Sequence, residues 1–120
     1  MTPFGAKVRA MRGERGVSQK QMAAALGVSP AYLSALEHGR RGRPPWPMVQ
    51  KIIGYFNVIW DEAEELEQLA GYSDPRVRID TSGLSPEATQ LANELARLIG
   101  RLNEEERARI AAVLSEAASR

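Results

Sequence analysis

The stretch that decides the fold runs from Gln19 to His38 and reads QKQMAAALGVSPAYLSALEH. It holds two short segments of helical spacing, separated by Gly27, a residue able to take the left-handed conformation that ends a helix. Ser29 followed by Pro30 then begins a second helix, because the serine oxygen can cap the first turn and proline needs no donor there. The small side chain of Ala23 lets the second helix cross the first closely. This spacing is that of a helix-turn-helix.

Capping signals and apolar residues define the ends and the inner side of these two helices. Ser18 and Gln21 have the spacing of a capping box, so the first helix is predicted to start at Ser18. The second helix is predicted to end at His38-Gly39. The side chains expected to fill the angle between the helices are Met22, Leu26, Val28, Leu33 and Leu36.

Three further helices are predicted around this motif. Apolar residues at helical spacing indicate helices over Phe4 to Arg15, Met48 to Phe56 and Trp60 to Leu69. The stretch Arg40 to Pro47 contains three prolines and is predicted to be a basic loop. Both tryptophans of the chain are expected to pack against the core. Residues 1–72 are therefore predicted to form a five-helix domain.

The carboxyl-terminal part is predicted to be a helical hairpin. Residues 73–83 are expected to form a linker, because Asp74-Pro75 and Thr81-Ser82-Gly83 are turn signals. Ser85-Pro86 opens one helix, and Asn103-Glu104-Glu105-Glu106 has capping-box form at the start of another. The whole chain is thus predicted to be all-α, with residues 84–120 as a C-terminal helical segment for dimerisation or interaction.

A seam of leucines marks this segment. Within the helix that Ser85-Pro86 opens, we expect a seam of residues at alternating steps of four and three, as in a coiled coil: Leu84, Ala88, Leu91, Leu95, Leu98 and Leu102. Two apolar-faced helices of this length cannot bury themselves completely, so they need the first domain or a second chain. We expect a second chain; packing within the chain, against the last helix, is the alternative. The residues expected at a dimer interface are Leu84, Leu91, Leu95, Leu98, Leu102, Ile110 and Leu114.

Charge is unevenly distributed along the chain. Residues 1–58 hold nine Lys and Arg against two Glu, a balance of +7, whereas residues 59–120 hold seven Arg against 13 acidic residues, a balance of −6. A basic part beside an acidic part favours a nucleic-acid surface on the basic one. The alternative is a chance segregation of charge on solvated helices.

Several classes of protein are excluded by composition. The chain has no cysteine and one histidine, which excludes zinc fingers, thiolate clusters and sites with two histidine ligands. It offers no nucleophile beside a histidine and no Gly-rich phosphate loop, so we expect neither an enzyme nor a cofactor. It also lacks a signal-peptide core and any apolar run of ~20 residues, which predicts no membrane association and a cytoplasmic protein.

On its motif residues the chain resembles the lambda-repressor-like Cro/C1 (XRE) family of helix-turn-helix proteins. The resemblance covers about residues 4–58. The positions that carry it are Arg12, Gly16-Val17-Ser18-Gln19, Met22-Ala23, Leu26-Gly27-Val28-Ser29, Tyr32-Leu33-Ser34, Leu36-Glu37, Gly39-Arg40 and Phe56-Asn57-Val58. The resemblance implies a five-helix DNA-binding domain that works as a dimer on a palindromic operator, most often to repress transcription.

The same resemblance implies roles for single residues. Gln19 would anchor a DNA phosphate and brace the recognition helix. The residues facing the major groove would be Ser29, Pro30, Ala31, Tyr32, Ser34 and Ala35, and those approaching the DNA backbone would be Arg40, Arg41 and Arg43. Ordinary solvated loop charge is the alternative for the three arginines. Proline and alanine cannot make bidentate hydrogen bonds to purines, so readout is expected through thymine methyl groups, Tyr32, Ser34 and DNA shape.

The expected function is that of a sequence-specific transcriptional regulator, more specifically a repressor. It would bind double-stranded DNA as a homodimer through the recognition helix near residues 29–38. The alternative is an antitoxin or adaptor, whose C-terminal helices bind another protein and whose DNA binding is autoregulatory.

Overall fold

The computed structural model describes residues 1–120, and all of its regular secondary structure is helical, which confirms the all-α fold class. Its seven α-helices are α1 (Pro3–Glu14), α2 (Gln19–Leu26), α3 (Pro30–His38), α4 (Trp46–Phe56), α5 (Trp60–Gly71), α6 (Pro86–Leu98) and α7 (Glu104–Ala118), with a 3-10 helix at Ile99–Arg101. The chain divides into two compact units, Met1–Val77 and Arg78–Arg120. The boundary between these units falls within the segment 73–83 that the turn signals mark.

Local capping fixes the ends of α2 and α3 as predicted. The Ser18 hydroxyl accepts a hydrogen bond from the Gln21 backbone N–H at 3.0 Å, and the Gln21 side chain accepts from the Ser18 N–H at 2.9 Å. Gly27 ends α2 in the left-handed region, with φ of 73°. The Ser29 hydroxyl then caps α3, and Pro30 occupies its first position. The sharp turn between the helices is therefore determined by residues that are close together in the chain.

A single apolar core unites the five helices of the first unit. Met22, Leu26, Leu33 and Leu36 are buried and Val28 is partly buried against them, so the predicted filling between α2 and α3 is confirmed. The remaining buried apolar side chains are Phe4, Val8, Met11, Ala23, Val49, Ile52, Phe56, Leu66 and Ala70. Since each large apolar side chain contributes roughly 1.5–3 kcal/mol when buried, this core is the main force that holds α3 in place.

The start of α1 lies against the end of α3. The Thr2 hydroxyl caps α1 by accepting from the Gly5 N–H at 3.0 Å, while the Thr2 backbone N–H donates to the Glu37 carbonyl at 3.2 Å. The approach is so close that a Cβ on Gly5 would overlap the main-chain carbonyl of Glu37. The Ser73 hydroxyl, just after α5, accepts from the Phe4 N–H at 3.0 Å. These contacts fix the carboxyl end of α3 relative to α1 and α5.

Two sequence predictions about this unit were wrong. Helix α4 begins at Trp46, two residues before the predicted start, because Pro47 lies in the first turn, where a backbone N–H has no partner to lose. The tryptophans do not pack into the core: Trp46 is 68% exposed and Trp60 is 81% exposed. Each is the first residue of its helix, outside the stripe of residues that faces the core.

The second unit has helices but no buried side chain. A turn at its start is closed by the Ser82 side chain and backbone N–H, which bond the Asp80 carboxylate and lower the pKa of Asp80. Asn103 and Glu106 form the predicted capping box at the start of α7, with bonds of 2.8 and 2.9 Å.

The leucine seam is not carried by one helix, contrary to the prediction. Helix α6 ends at Leu98, and the chain continues as the 3-10 helix before Leu102 turns to extended backbone. Extended backbone is needed there because Asn103 caps α7 from outside the helix. Leu84 likewise lies before the first residue of α6. The apolar side chains that remain largely exposed are Leu84, Leu91, Ile99, Val113 and Leu114, with Ile110 less so.

Candidate nucleic-acid interface

Helix α3 presents its amino-terminal half to solvent. Ser29, Pro30 and Ala31 are exposed, while Leu33 and Leu36 on the opposite side are buried. Three further positions assigned to the groove are half-buried and border the exposed ones: Tyr32, Ser34 and Ala35. A helix exposed in this way at its amino-terminal end has the form that a helix-turn-helix inserts into the major groove.

A buried ion pair holds the other half of α3. Glu37 is only 2% exposed, and its carboxylate accepts from Arg12 Nη2 at 2.7 Å and from Arg12 Nε at 3.2 Å. The Arg12 guanidinium also donates to the Val17 carbonyl in the turn before α2, at 3.4 Å. The pair therefore ties α1, the start of α2 and α3 together. Removing one member of such a pair costs about 3–5 kcal/mol, because the other charge is left buried alone.

Gln19, the first residue of α2, joins this network. Its Nε2 donates to Glu37 Oε2 at 3.2 Å, so the side chain is tied to α3 from the side of α2. Contact of Gln19 with a DNA phosphate stays a prediction. Glu37 itself was missed as an organising residue. The available signal was its position in the buried stripe of Leu33 and Leu36, since a charge on such a stripe needs a partner.

The three loop arginines lie in different surroundings, although all are exposed. The Arg41 guanidinium lies over the Tyr32 ring, 4.9 Å from its centroid, which joins the loop to the recognition helix by a cation–π contact. Arg43 instead approaches Gly71 of α5 and borders a groove with Trp46 and Glu67. The structure thus brings Arg41 to α3 and directs Arg43 toward α5. Arg40 has no carboxylate partner.

Charge is separated within the first unit. The acidic residues Asp61, Glu62, Glu64, Glu65 and Glu67 all lie on α5, which packs against α1 and α4. Glu65 forms an ion pair with Lys7 of α1 at 3.6 Å. Most of the basic residues lie on α1, on α2 and in the loop after α3, whereas Lys51 is on α4 and Arg76 follows α5. An anionic duplex would therefore be attracted to the side of α2 and α3 and repelled by the exposed face of α5.

This geometry defines a helix-turn-helix unit, in which α3 is the presented helix and α2 its support. A family model described as a helix-turn-helix domain matches residues 3–67, and the chain belongs to that family. The resemblance to XRE-like helix-turn-helix proteins, made on motif residues alone, is confirmed.

Two curated relatives from Bacillus subtilis (strain 168) are similar to this chain. The HTH-type transcriptional repressor RghR is 36% identical over 72 residues, which is 60% of this chain and 51% of the relative. The HTH-type transcriptional regulator RghRB is 33% identical over 72 residues, which is 60% of this chain and 50% of the relative. The chain spans about half the length of the curated relatives it matches. No solved structure gives a significant match. None of the helices combines the length and the apolarity that crossing a bilayer requires.

Proposed function

We propose that the protein is a sequence-specific DNA-binding transcriptional regulator that represses by occupying a palindromic operator as a dimer. The observation that carries this proposal is the exposed amino-terminal half of α3, held on the core by the Arg12–Glu37 pair. The name of the relative RghR, a transcriptional repressor, supports the direction of regulation. The proposed activity is binding without catalysis or cofactor, in the cytoplasm.

Recognition would rest on a few side chains of α3 and on the shape of the DNA. Pro30, Ala31 and Ala35 offer apolar contact to thymine methyl groups, whereas Ser29, Tyr32 and Ser34 offer hydroxyl groups. Gln19, Arg40, Arg41 and Arg43 would position the domain on the phosphates. Because no amide or guanidinium side chain lies at the exposed start of α3, we expect thymine-rich half-sites.

Dimerisation would come from the second unit. Leu91, Val113 and Leu114 are more than half exposed in the single chain, and a second copy would cover them. The proposed interface comprises Leu84, Leu91, Leu95, Leu98, Leu102, Ile110 and Leu114. Because α6 ends at Leu98, two copies would associate as short helices of a bundle and not as one continuous coiled coil.

Selection of bound fragments from the genome of origin tests this function. We expect the full chain to enrich fragments that share a palindrome with half-sites one helical turn apart, ~34 Å. Enrichment without a shared sequence, or binding that does not weaken from low to moderate salt, would contradict the proposal.

A second candidate function is that of an antitoxin or adaptor, in which the second unit binds a different protein. The exposed apolar residues of α6 and α7 favour a protein partner of some kind, whether a second copy or another chain. A different protein that co-purifies in one-to-one ratio, and that is lost from the variant Leu91→Glu, would favour this candidate over the homodimer.

A further inference from the structure

A polar cleft of about 370 Å³ opens beside the recognition helix, between α1, the start of α2 and the later half of α3. Gln19 and Ser34, both in the proposed interface, line one part of it. The rest is lined by Met1, Arg9, Arg12, Glu37 and His38. The cleft is therefore continuous with the proposed DNA-binding surface. It extends that surface onto α1, a helix with no residue among the DNA contacts proposed above.

The groups that line the cleft favour an anion. The Glu37 carboxylate at its base is already bonded by Arg12 and Gln19, so its charge is compensated and its oxygens are occupied. Arg9 is exposed and has no carboxylate within ion-pair distance, which leaves its positive charge uncompensated at the mouth.

The cleft also holds one amide donor with a free N–H group. The Gln19 amide uses its nitrogen toward Glu37 and keeps a second N–H for another acceptor. The His38 Nδ1 N–H already donates to the Ser34 carbonyl at 2.8 Å, so it is not counted among the donors for a ligand. A guanidinium beside an amide N–H is a suitable pair of donors for two oxygens of one phosphate.

We infer that this cleft seats one phosphate of the DNA backbone per half-site and that Arg9 is the residue that binds it. The inference rests on the DNA binding proposed above and adds a contact from α1. Arg9 lies on a helix that is itself fixed to α3 through Thr2, Gly5 and the Arg12–Glu37 pair. A phosphate held by Arg9 would therefore fix the distance between the backbone and the groove-facing residues of α3.

The test compares Arg9→Gln with Arg15→Gln in the full chain, on an operator fragment chosen by the selection above. The two variants lose the same charge from the same part of the chain, but the Arg15 guanidinium lies over the Phe56 ring, 4.8 Å from its centroid, and outside the cleft. For each half-site, Arg9→Gln should lower affinity about five-fold at 0.15 M salt and reduce the log–log salt slope by roughly 0.9, as the loss of one phosphate contact requires. Arg15→Gln should leave the slope unchanged, and Arg9→Lys should restore most of it.

Neutral methylphosphonate groups, placed one at a time along the operator, then locate the phosphate. At one position per half-site, the methylphosphonate should lower the affinity of wild type and leave the affinity of Arg9→Gln unchanged. If every position affects wild type and Arg9→Gln equally, the cleft holds no phosphate, although the proposed function stands. If wild type binds no DNA fragment selectively, the proposed function and this inference are both wrong.

Discussion

Arg12 and Glu37 form an ion pair in the interior of the first unit, with 2.7 Å between Arg12 Nη2 and Glu37 Oε1. The side chain of Arg12 is 12% exposed and that of Glu37 is 2% exposed, so solvent screens the pair little. The pair connects α3 with α1 and with the turn before α2. Removal of the pair should therefore lower the free energy of unfolding before it changes DNA recognition.

The first prediction concerns this pair. Arg12→Met should lower the free energy of unfolding by about 3–5 kcal/mol, because the Glu37 carboxylate stays buried without a counter-charge. The double variant Arg12→Met/Glu37→Met should recover much of that loss, since it leaves no buried charge. Urea unfolding of the three proteins measures both effects. A loss below about 0.5 kcal/mol in Arg12→Met would mean that water reaches the carboxylate.

The second prediction uses two glycines of α1. Gly5→Ala should destabilise the protein by about 1–3 kcal/mol or more, because the added methyl group meets the Glu37 carbonyl and must push α3 away from α1. Gly13→Ala is the matched control, since a Cβ there meets no atom within 4 Å. Alanine favours the helix over glycine, so this control should gain up to about 1 kcal/mol. Thermal unfolding measures both changes in stability. Equal changes in the two variants would contradict the close packing of α1 on α3.

The local signals of the sequence were sufficient for the helix ends and for much of the core. Capping by Ser18 and Ser29 and the turn at Gly27 depend on residues within a few positions, and all three are as predicted. Apolar spacing likewise placed Met22 and Leu33 in the core.

Features that depend on distant residues were not predictable in this way. The partner of Glu37 is 25 residues away in the chain, and the atom that excludes a side chain at Gly5 belongs to another helix. Aromatic character alone suggested that Trp46 and Trp60 are buried. Burial of the first residue of a helix depends on whether that residue faces the core, and neither tryptophan does. The orientation of Arg43 toward α5 follows from the path of the loop, which its prolines constrain but do not specify.

The third prediction tests the orientation of α3. Ala31→Glu should abolish selective DNA binding, because a carboxylate at this exposed position would face base edges and phosphates. The free energy of unfolding, measured by thermal melting, should change by no more than about 0.5 kcal/mol, as is usual for a substitution at an exposed position. Ala24→Glu, at an exposed position of α2, serves as a control with the same chemical change. Equal loss of binding in both variants would mean that overall charge, and not the surface of α3, decides binding.

The fourth prediction separates two loop arginines. Arg40→Ala should weaken binding to operator and to random DNA alike and flatten the salt dependence, as expected for a phosphate contact. Arg41→Ala should do the same and in addition lower the ratio of operator to random affinity, because Tyr32 loses the guanidinium that lies over its ring. In the Tyr32→Leu background the two alanine variants should lower operator affinity equally. A persistent difference there would show that Arg41 acts on the DNA without Tyr32.

The fifth prediction concerns the second unit. A preformed dimer places two recognition helices ~34 Å apart, so binding of the second half-site becomes nearly intramolecular and gains about 10²–10⁴-fold. Removal of residues 84–120 should therefore leave a folded monomer with that much less operator affinity, because no residue of the core lies beyond Ala70. The deletion removes six Glu and five Arg, a change of only +1, so electrostatics cannot account for a large loss.

Two point variants make the same comparison in the full chain. Leu91 is 67% exposed in the single chain, so Leu91→Glu should not unfold it but should place a charge in the dimer interface. Ala96→Glu adds the same side chain at an exposed position of α6 outside the leucine seam. Light scattering at micromolar concentration should find Leu91→Glu monomeric and Ala96→Glu dimeric, with operator affinity following the oligomeric state. A wild-type chain that is monomeric under these conditions, or a Leu91→Glu variant that still dimerises and binds equally well, would assign the leucines to contact with a different protein.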